Sequence, residues 1–101
     1  MKVRLSGAAR ADLKAIWKRL ATEASISTAT RIASGIEDAC SRLADFPESG
    51  SPRDEIRPGM RAVFYKSWVA YYLVRNGRIV VTRVVHASRD MAALEGLGVG
   101  Q

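Results

Sequence analysis

The sequence predicts an α+β domain in which an N-terminal strand and an antiparallel helical hairpin pack on a twisted antiparallel sheet, closed by a short C-terminal helix. Three observations carry that reading. Two stretches in the first half repeat apolar residues at spacings of three and four, as an amphipathic helix does. Three runs between Met60 and His86 are rich in valine, isoleucine and aromatic residues and alternate as strands do. Asn76-Gly77 separates the last two runs, and both residues tolerate the positive φ of a type I′ hairpin turn. A chain of 101 residues has room for one core, so residues 1–101 are expected to form a single domain.

Taken in order, Lys2-Val3-Arg4-Leu5 alternates polar and apolar residues and suits a strand over 2–5 with Val3 and Leu5 inward. Ser6 is placed to cap a helix over 7–22, whose stripe is Ala9, Leu13, Ile16, Trp17 and Leu20. The pattern lapses at Glu23-Ala24-Ser25 and resumes over 27–45 with Ala29, Ile32, Ile36, Ala39, Cys40 and Leu43. So short a connector implies an antiparallel hairpin. Gly35 interrupts the second helix at a cost of about 1 kcal/mol relative to alanine and is either a point of close helix approach or a solvent-side position. Phe46-Pro47 ends that helix, and a loop carrying Arg53, Asp54, Glu55 and Arg57, either solvated or part of a binding rim, runs to Pro58-Gly59.

Strands follow over 60–65, 68–75 and 78–86, with a short helix over 89–96. Both faces of the middle strand are apolar, so it should be central. In the last strand Ile79, Val81, Arg83 and Val85 alternate with Val80, Thr82, Val84 and His86. Arg83 therefore stands among apolar neighbours, either snorkelling or facing a groove.

Charge is unevenly spread. Met1 to Leu20 carries six basic residues against Asp12, Ala21 to Glu55 is net acidic, and Ile56 to Arg89 holds seven basic residues and no carboxylate. Such a field favours an acidic protein partner or nucleic acid and says nothing about fold. The single Cys40 has no disulfide partner and sits in an apolar stripe, as a buried structural thiol does. The histidine and cysteine spacing offers no metal site, and no motif points to a cofactor. No run approaches the roughly 20 apolar residues of a membrane span and the N-terminus lacks a signal-type apolar region, so a cytoplasmic protein is expected.

The residues with potential chemistry are Arg61, Arg83, His86 and Arg89, which the ends of a three-stranded meander bring towards one another. Guanidinium groups suit phosphate or carboxylate recognition. His86 is the lone histidine, with no carboxylate, serine or cysteine partner beside it, and reads more simply as the end of a strand than as an acid or base. No nucleophile elbow, glycine-rich phosphate loop, HExxH or paired-carboxylate pattern is present.

These pieces together resemble the ParE branch of the RelE/ParE superfamily, the toxins of bacterial type II toxin–antitoxin modules. The resemblance spans nearly the whole chain. It rests on Val3-Arg4-Leu5-Ser6 with Ala9, Ala11-Asp12-Leu13 and Ile16, on Leu43, Phe46-Pro47 and Gly50, and on Arg57-Pro58-Gly59-Met60-Arg61. Tyr71-Tyr72, Arg83-Val84-Val85-His86 and Arg89-Asp90 complete it.

The resemblance implies a helical hairpin on a twisted antiparallel sheet. For the ParE branch it further implies inhibition of DNA gyrase by binding, without hydrolytic chemistry, and neutralisation by a ParD-like antitoxin laid along the toxin's groove and helices. On that reading Arg57, Arg61, Arg83 and Arg89 meet the target, and Leu13, Trp17, Leu20 and Tyr71 meet the antitoxin. The alternative is a RelE-like ribosome-dependent mRNA interferase using Arg61, Arg83, His86 and Arg89. RelE-like sites commonly hold a tyrosine after the last strand, whereas Ala87 to Leu94 has neither tyrosine nor lysine. A third possibility is a toxin-derived scaffold that binds only its antitoxin. Direct contact with nucleic acid stays open.

Overall fold

A computed structural model describes residues 1–88. The helix expected over 89–96, with Arg89, lies outside the described residues. The elements are β1 (Lys2–Leu5), α1 (Gly7–Glu23), α2 (Ile26–Ser41), a 3-10 turn at Arg42–Ala44, β2 (Ser51–Pro52), β3 (Arg61–Tyr65), β4 (Trp68–Arg75) and β5 (Arg78–His86). They make one five-stranded sheet in the order β1-β5-β4-β3-β2, with β4 in the middle.

Each helix begins where a serine can take its first amides. Ser6 Oγ accepts the Ala9 N–H at 3.0 Å, and Ser25 Oγ accepts that of Thr28 at 3.0 Å. Ser6 also donates to Thr82 O at 2.9 Å, which ties the start of α1 to the sheet. Asn76 and Gly77 have φ of 50° and 72°, as the hairpin turn requires.

Three features depart from the expected sheet. First, β1 runs parallel to β5 while the other pairs are antiparallel, so the sheet is mixed. Second, the 46–59 loop contributes β2, whose Ser51 and Pro52 pair with Ala62 and Arg61; proline is tolerated there because the strand is at the edge. Third, the alternation of β5 breaks. Tyr72 opposes Val81 but Tyr71 opposes Arg83, leaving Thr82 as a bulge. Ile79, Val81 and Val84 consequently face the helices, while Val85 faces the other way.

The helices cover one face of the sheet, burying Ile36, Leu43, Tyr72, Ile79, Val81 and Val84 almost completely. The second face has its own cover. The loop expected to be a solvated or binding rim turns Ile56 and Met60 onto Ala62, Val69, Tyr71, Leu73 and Val85. Asp54 Oδ1 accepts the Gly59 N–H at 2.9 Å and holds that loop closed, with Gly59 at φ 83°. Gly35 serves a contact other than the one expected: a Cβ there would strike the Tyr65 ring, so the glycine admits a residue of β3 onto α2. Cys40 is buried at 2% exposure, and burial with nearby Glu37 pushes its thiol up to about 11.

Candidate functional site

Beyond Val81, β1 has ended and β5 is an edge strand with α1 alongside. An unpaired edge amide there would be costly if buried. Asp12 of α1 fills the gap: its Oδ2 accepts the Val84 N–H at 2.9 Å and Arg83 Nε at 2.7 Å, while Oδ1 accepts Arg83 Nη2 at 2.9 Å. Of the two readings of Arg83, snorkelling or facing a groove, the side chain takes the second: with Asp12 it lines the open space beside α1. It is held in a two-pronged pair that raises its pKa further, chiefly through the hydrogen bonds to Asp12. Asp12 was not among the site residues expected from sequence. Its signals were its place in Ala11-Asp12-Leu13 of the resemblance and its being the only carboxylate in an otherwise basic first segment.

A comparable clamp holds the loop before β2. The Tyr72 hydroxyl accepts the Gly50 N–H and donates to Pro47 O, both at 2.9 Å. Arg61 Nη1 donates to Gly50 O at 2.7 Å and Glu48 O at 3.0 Å. Arg61 and Arg83 therefore anchor two separate pieces of structure and do not converge.

His86 is exposed at the end of β5. Its ring stands edge-on to Trp68 at 5.0 Å between centroids. The Ser88 N–H donates to Nδ1 at 3.1 Å, so the neutral ring carries its proton on Nε2. The Ser88 hydroxyl lies 2.7 Å from the same nitrogen. Arg57 is half-buried on the covering loop, its backbone carbonyl accepting the Met60 N–H at 3.0 Å.

Beside His86 an open groove of about 690 Å³ runs between α1, the start of α2 and the ends of β4 and β5. Ile16, Leu20, Ile32 and Trp68 supply its apolar wall, the Asp12–Arg83 pair its floor, and the exposed Arg19–Glu23 pair, at 3.2 Å, its rim. Of the residues expected to form one partner surface, only Leu20 lines this groove. Leu13 is in the core, Trp17 bonds across the hairpin to Thr30 Oγ1 at 3.2 Å, and Tyr71 is buried on the opposite face of the sheet.

Comparisons with known proteins agree with this architecture. A family model described as the ParE toxin of the type II toxin–antitoxin system parDE matches residues 3–91. Toxin ParE1 of Mycobacterium tuberculosis is 35% identical over 88 residues, covering 86% of this chain and 90% of that protein. Toxin ParE3 of Caulobacter vibrioides is 27% identical over 85 residues, covering 84% and 85%. The fold also matches a chain of the chromosomal ParDE system from P. aeruginosa with a TM-score of 0.76, at 22% identity over 85% of this chain and 95% of that one. A chain of the RelBE2 toxin–antitoxin complex from M. tuberculosis gives 0.55, at 20% identity and coverage of 87% and 92%. With the matched span running from β1 through β5, the chain belongs to the ParE toxin family of type II toxin–antitoxin systems.

Proposed function

We propose that this ParE-type toxin acts in the cytoplasm by binding DNA gyrase and stalling its cycle, with no bond-breaking chemistry of its own, and that a ParD-like antitoxin neutralises it. One observation carries the choice of a binder over an mRNA interferase. Of the four residues a nuclease reading needs, Arg83 has two nitrogens committed to Asp12 and Arg61 holds the 48–50 loop, which leaves only His86 exposed among the described ones. Among the described residues this imidazole is hydrogen-bonded only to Ser88, and it has there no hydrogen-bonded carboxylate or cation with which to move a proton and stabilise a phosphorane.

Arg57 is the expected target-binding arginine whose guanidinium makes no hydrogen bond among the described residues, and with Arg89 it is our choice for contact with gyrase. The groove beside α1 suits an amphipathic antitoxin segment that lays apolar side chains against Leu20, Ile16 and Trp68. Purified protein added to a gyrase supercoiling assay should block supercoiling, and antitoxin should restore it. Unchanged supercoiling together with cleavage of ribosome-bound mRNA would overturn the proposal in favour of a RelE-like activity.

A further inference from the structure

The sheet carries a second charged feature, on the face away from the helices and at the opposite end of β5 from His86. Register places Lys2 beside Arg78, Arg75 opposite Arg78, and Arg4 beside Val80. Leu73 belongs to the outer-face cluster, so Arg75, two residues further along β4, points the same way, and its neighbours in register follow. Arg4, Arg75 and Arg78 line an open hollow of about 430 Å³, with Val80 and Asn76 completing it. All three arginines are exposed. The ion pairs among the described residues lie elsewhere, at Arg19–Glu23 and Arg83–Asp12.

Strands about 4.8 Å apart put Lys2, Arg78 and Arg75 within roughly 10 Å of one another. Like charges directly opposite on neighbouring strands destabilise a sheet, so this row is a local cost that a bound anion would relieve. We infer that the hollow at the Asn76-Gly77 end of the sheet is a docking site for the phosphodiester backbone of a nucleic acid.

The chemistry of the hollow selects that occupant over an acidic protein segment. Protein partners bind through a desolvated apolar centre, and among the described residues Val80 is the only apolar side chain lining the hollow. A phosphate backbone needs no such centre, because its affinity comes from neutralised phosphates and released counterions. Guanidinium groups also match phosphate oxygens two at a time. With only a β-turn and strand side chains at the site, the contact is to backbone and independent of sequence. The inference stands on this face alone and does not depend on gyrase being the target.

Fluorescence anisotropy of the full chain tests it, with three probes of equal length: a mixed-sequence 20-bp DNA duplex, a 20-nucleotide single-stranded RNA and a glutamate-rich peptide. Binding to a nucleic acid should weaken linearly with log salt. The triple variant Arg4→Ala, Arg75→Ala, Arg78→Ala should lose at least tenfold in affinity and flatten the salt slope by about 2.7 on the duplex, at about 0.9 per lost phosphate contact, or by about 2.1 on the single strand, at about 0.7. Arg78→Gln alone should flatten the duplex slope by about 0.9. Circular dichroism of both variants should match the parent. A control triple on the exposed side of α1, Arg10→Ala, Lys14→Ala, Lys18→Ala, removes the same charge and should change affinity less than twofold. Tighter binding of duplex or of RNA identifies which backbone is held. Equal losses from the two triples would reduce the effect to net charge and overturn the site, as would preference for the peptide or binding to neither nucleic acid.

Discussion

Asp12 receives three donors from one strand edge, and its removal should be felt well beyond the loss of a surface charge. In Asp12→Asn the charge is gone and one of the acceptor oxygens is replaced by a donor, while Arg83, with its side chain 30% exposed, keeps its charge. An exposed pair contributes at most about 1 kcal/mol and breaking a buried one costs 3–5 kcal/mol. At 30% and 15% side-chain exposure this pair lies between them, so a loss of about 2 kcal/mol in urea denaturation is expected. Adding Arg83→Met should recover part of it, since no unpaired cation then remains. A loss under about 0.5 kcal/mol for Asp12→Asn would show that water replaces the carboxylate freely.

Cys40 makes a pH prediction with a definite sign. Its thiol is held at about 11 in the folded chain against an ordinary value of 9.0. The unfolded chain therefore loses this proton first, and folding stability falls as pH rises from 9 towards 11. Tyr71 and Tyr72, also raised, contribute equally to both proteins, so between pH 9 and 10 the parent should lose roughly 1 kcal/mol more than Cys40→Val does. Parallel stability curves for the two proteins over that interval would exclude the thiol as the cause.

At the scale of elements, Gly35 shows how a position can defeat a propensity argument. Glycine to alanine normally gains about 1 kcal/mol in a helix interior. Here the added methyl meets the Tyr65 ring, so Gly35→Ala should destabilise by about 1–3 kcal/mol. Combining it with Tyr65→Ala should remove that penalty in a double-mutant cycle on thermal unfolding. Additive effects in the cycle would mean the ring moves aside without cost.

The same contrast explains what sequence reveals of this fold. The helices are legible because three-and-four spacing and the cap at Ser6 act within a few residues, and the β4–β5 hairpin is legible because Asn76-Gly77 fixes its own φ. The parallel seat of β1, the pairing of Ser51-Pro52 and the bulge at Thr82 depend on distant partners, and nothing local encodes them. That bulge turns Val84 to the helices and Val85 away, so strict alternation misassigns the end of β5. The site suffers most from this blindness. Arg61 and Arg83 read as available cations because Gly50 and Asp12, which occupy them, lie 11 and 71 residues away in sequence.

At the scale of the whole molecule, the sheet is a wall between two surfaces of different chemistry. On the helix side lies the groove walled by Ile16, Leu20 and Trp68, and on the far side, near the β4–β5 turn, the row of Arg4, Arg75 and Arg78. Sites separated by a packed sheet share no side chains, and substitutions in them should act additively. Leu20→Glu removes a partly buried apolar contact and places a charge in the groove, which should weaken antitoxin binding by 10- to 100-fold, at about 1.5–3 kcal/mol for a leucine side chain. It should leave duplex affinity within twofold. The arginine triple should do the reverse, and toxin already saturated with antitoxin should bind duplex with the salt slope of the toxin alone once the antitoxin's own contribution is subtracted. Titrations of each variant against both partners measure this directly. If antitoxin in the groove suppressed duplex binding by the toxin's arginines, the two faces would have to communicate through the sheet, and the β4–β5 ladder between them would be the element to suspect.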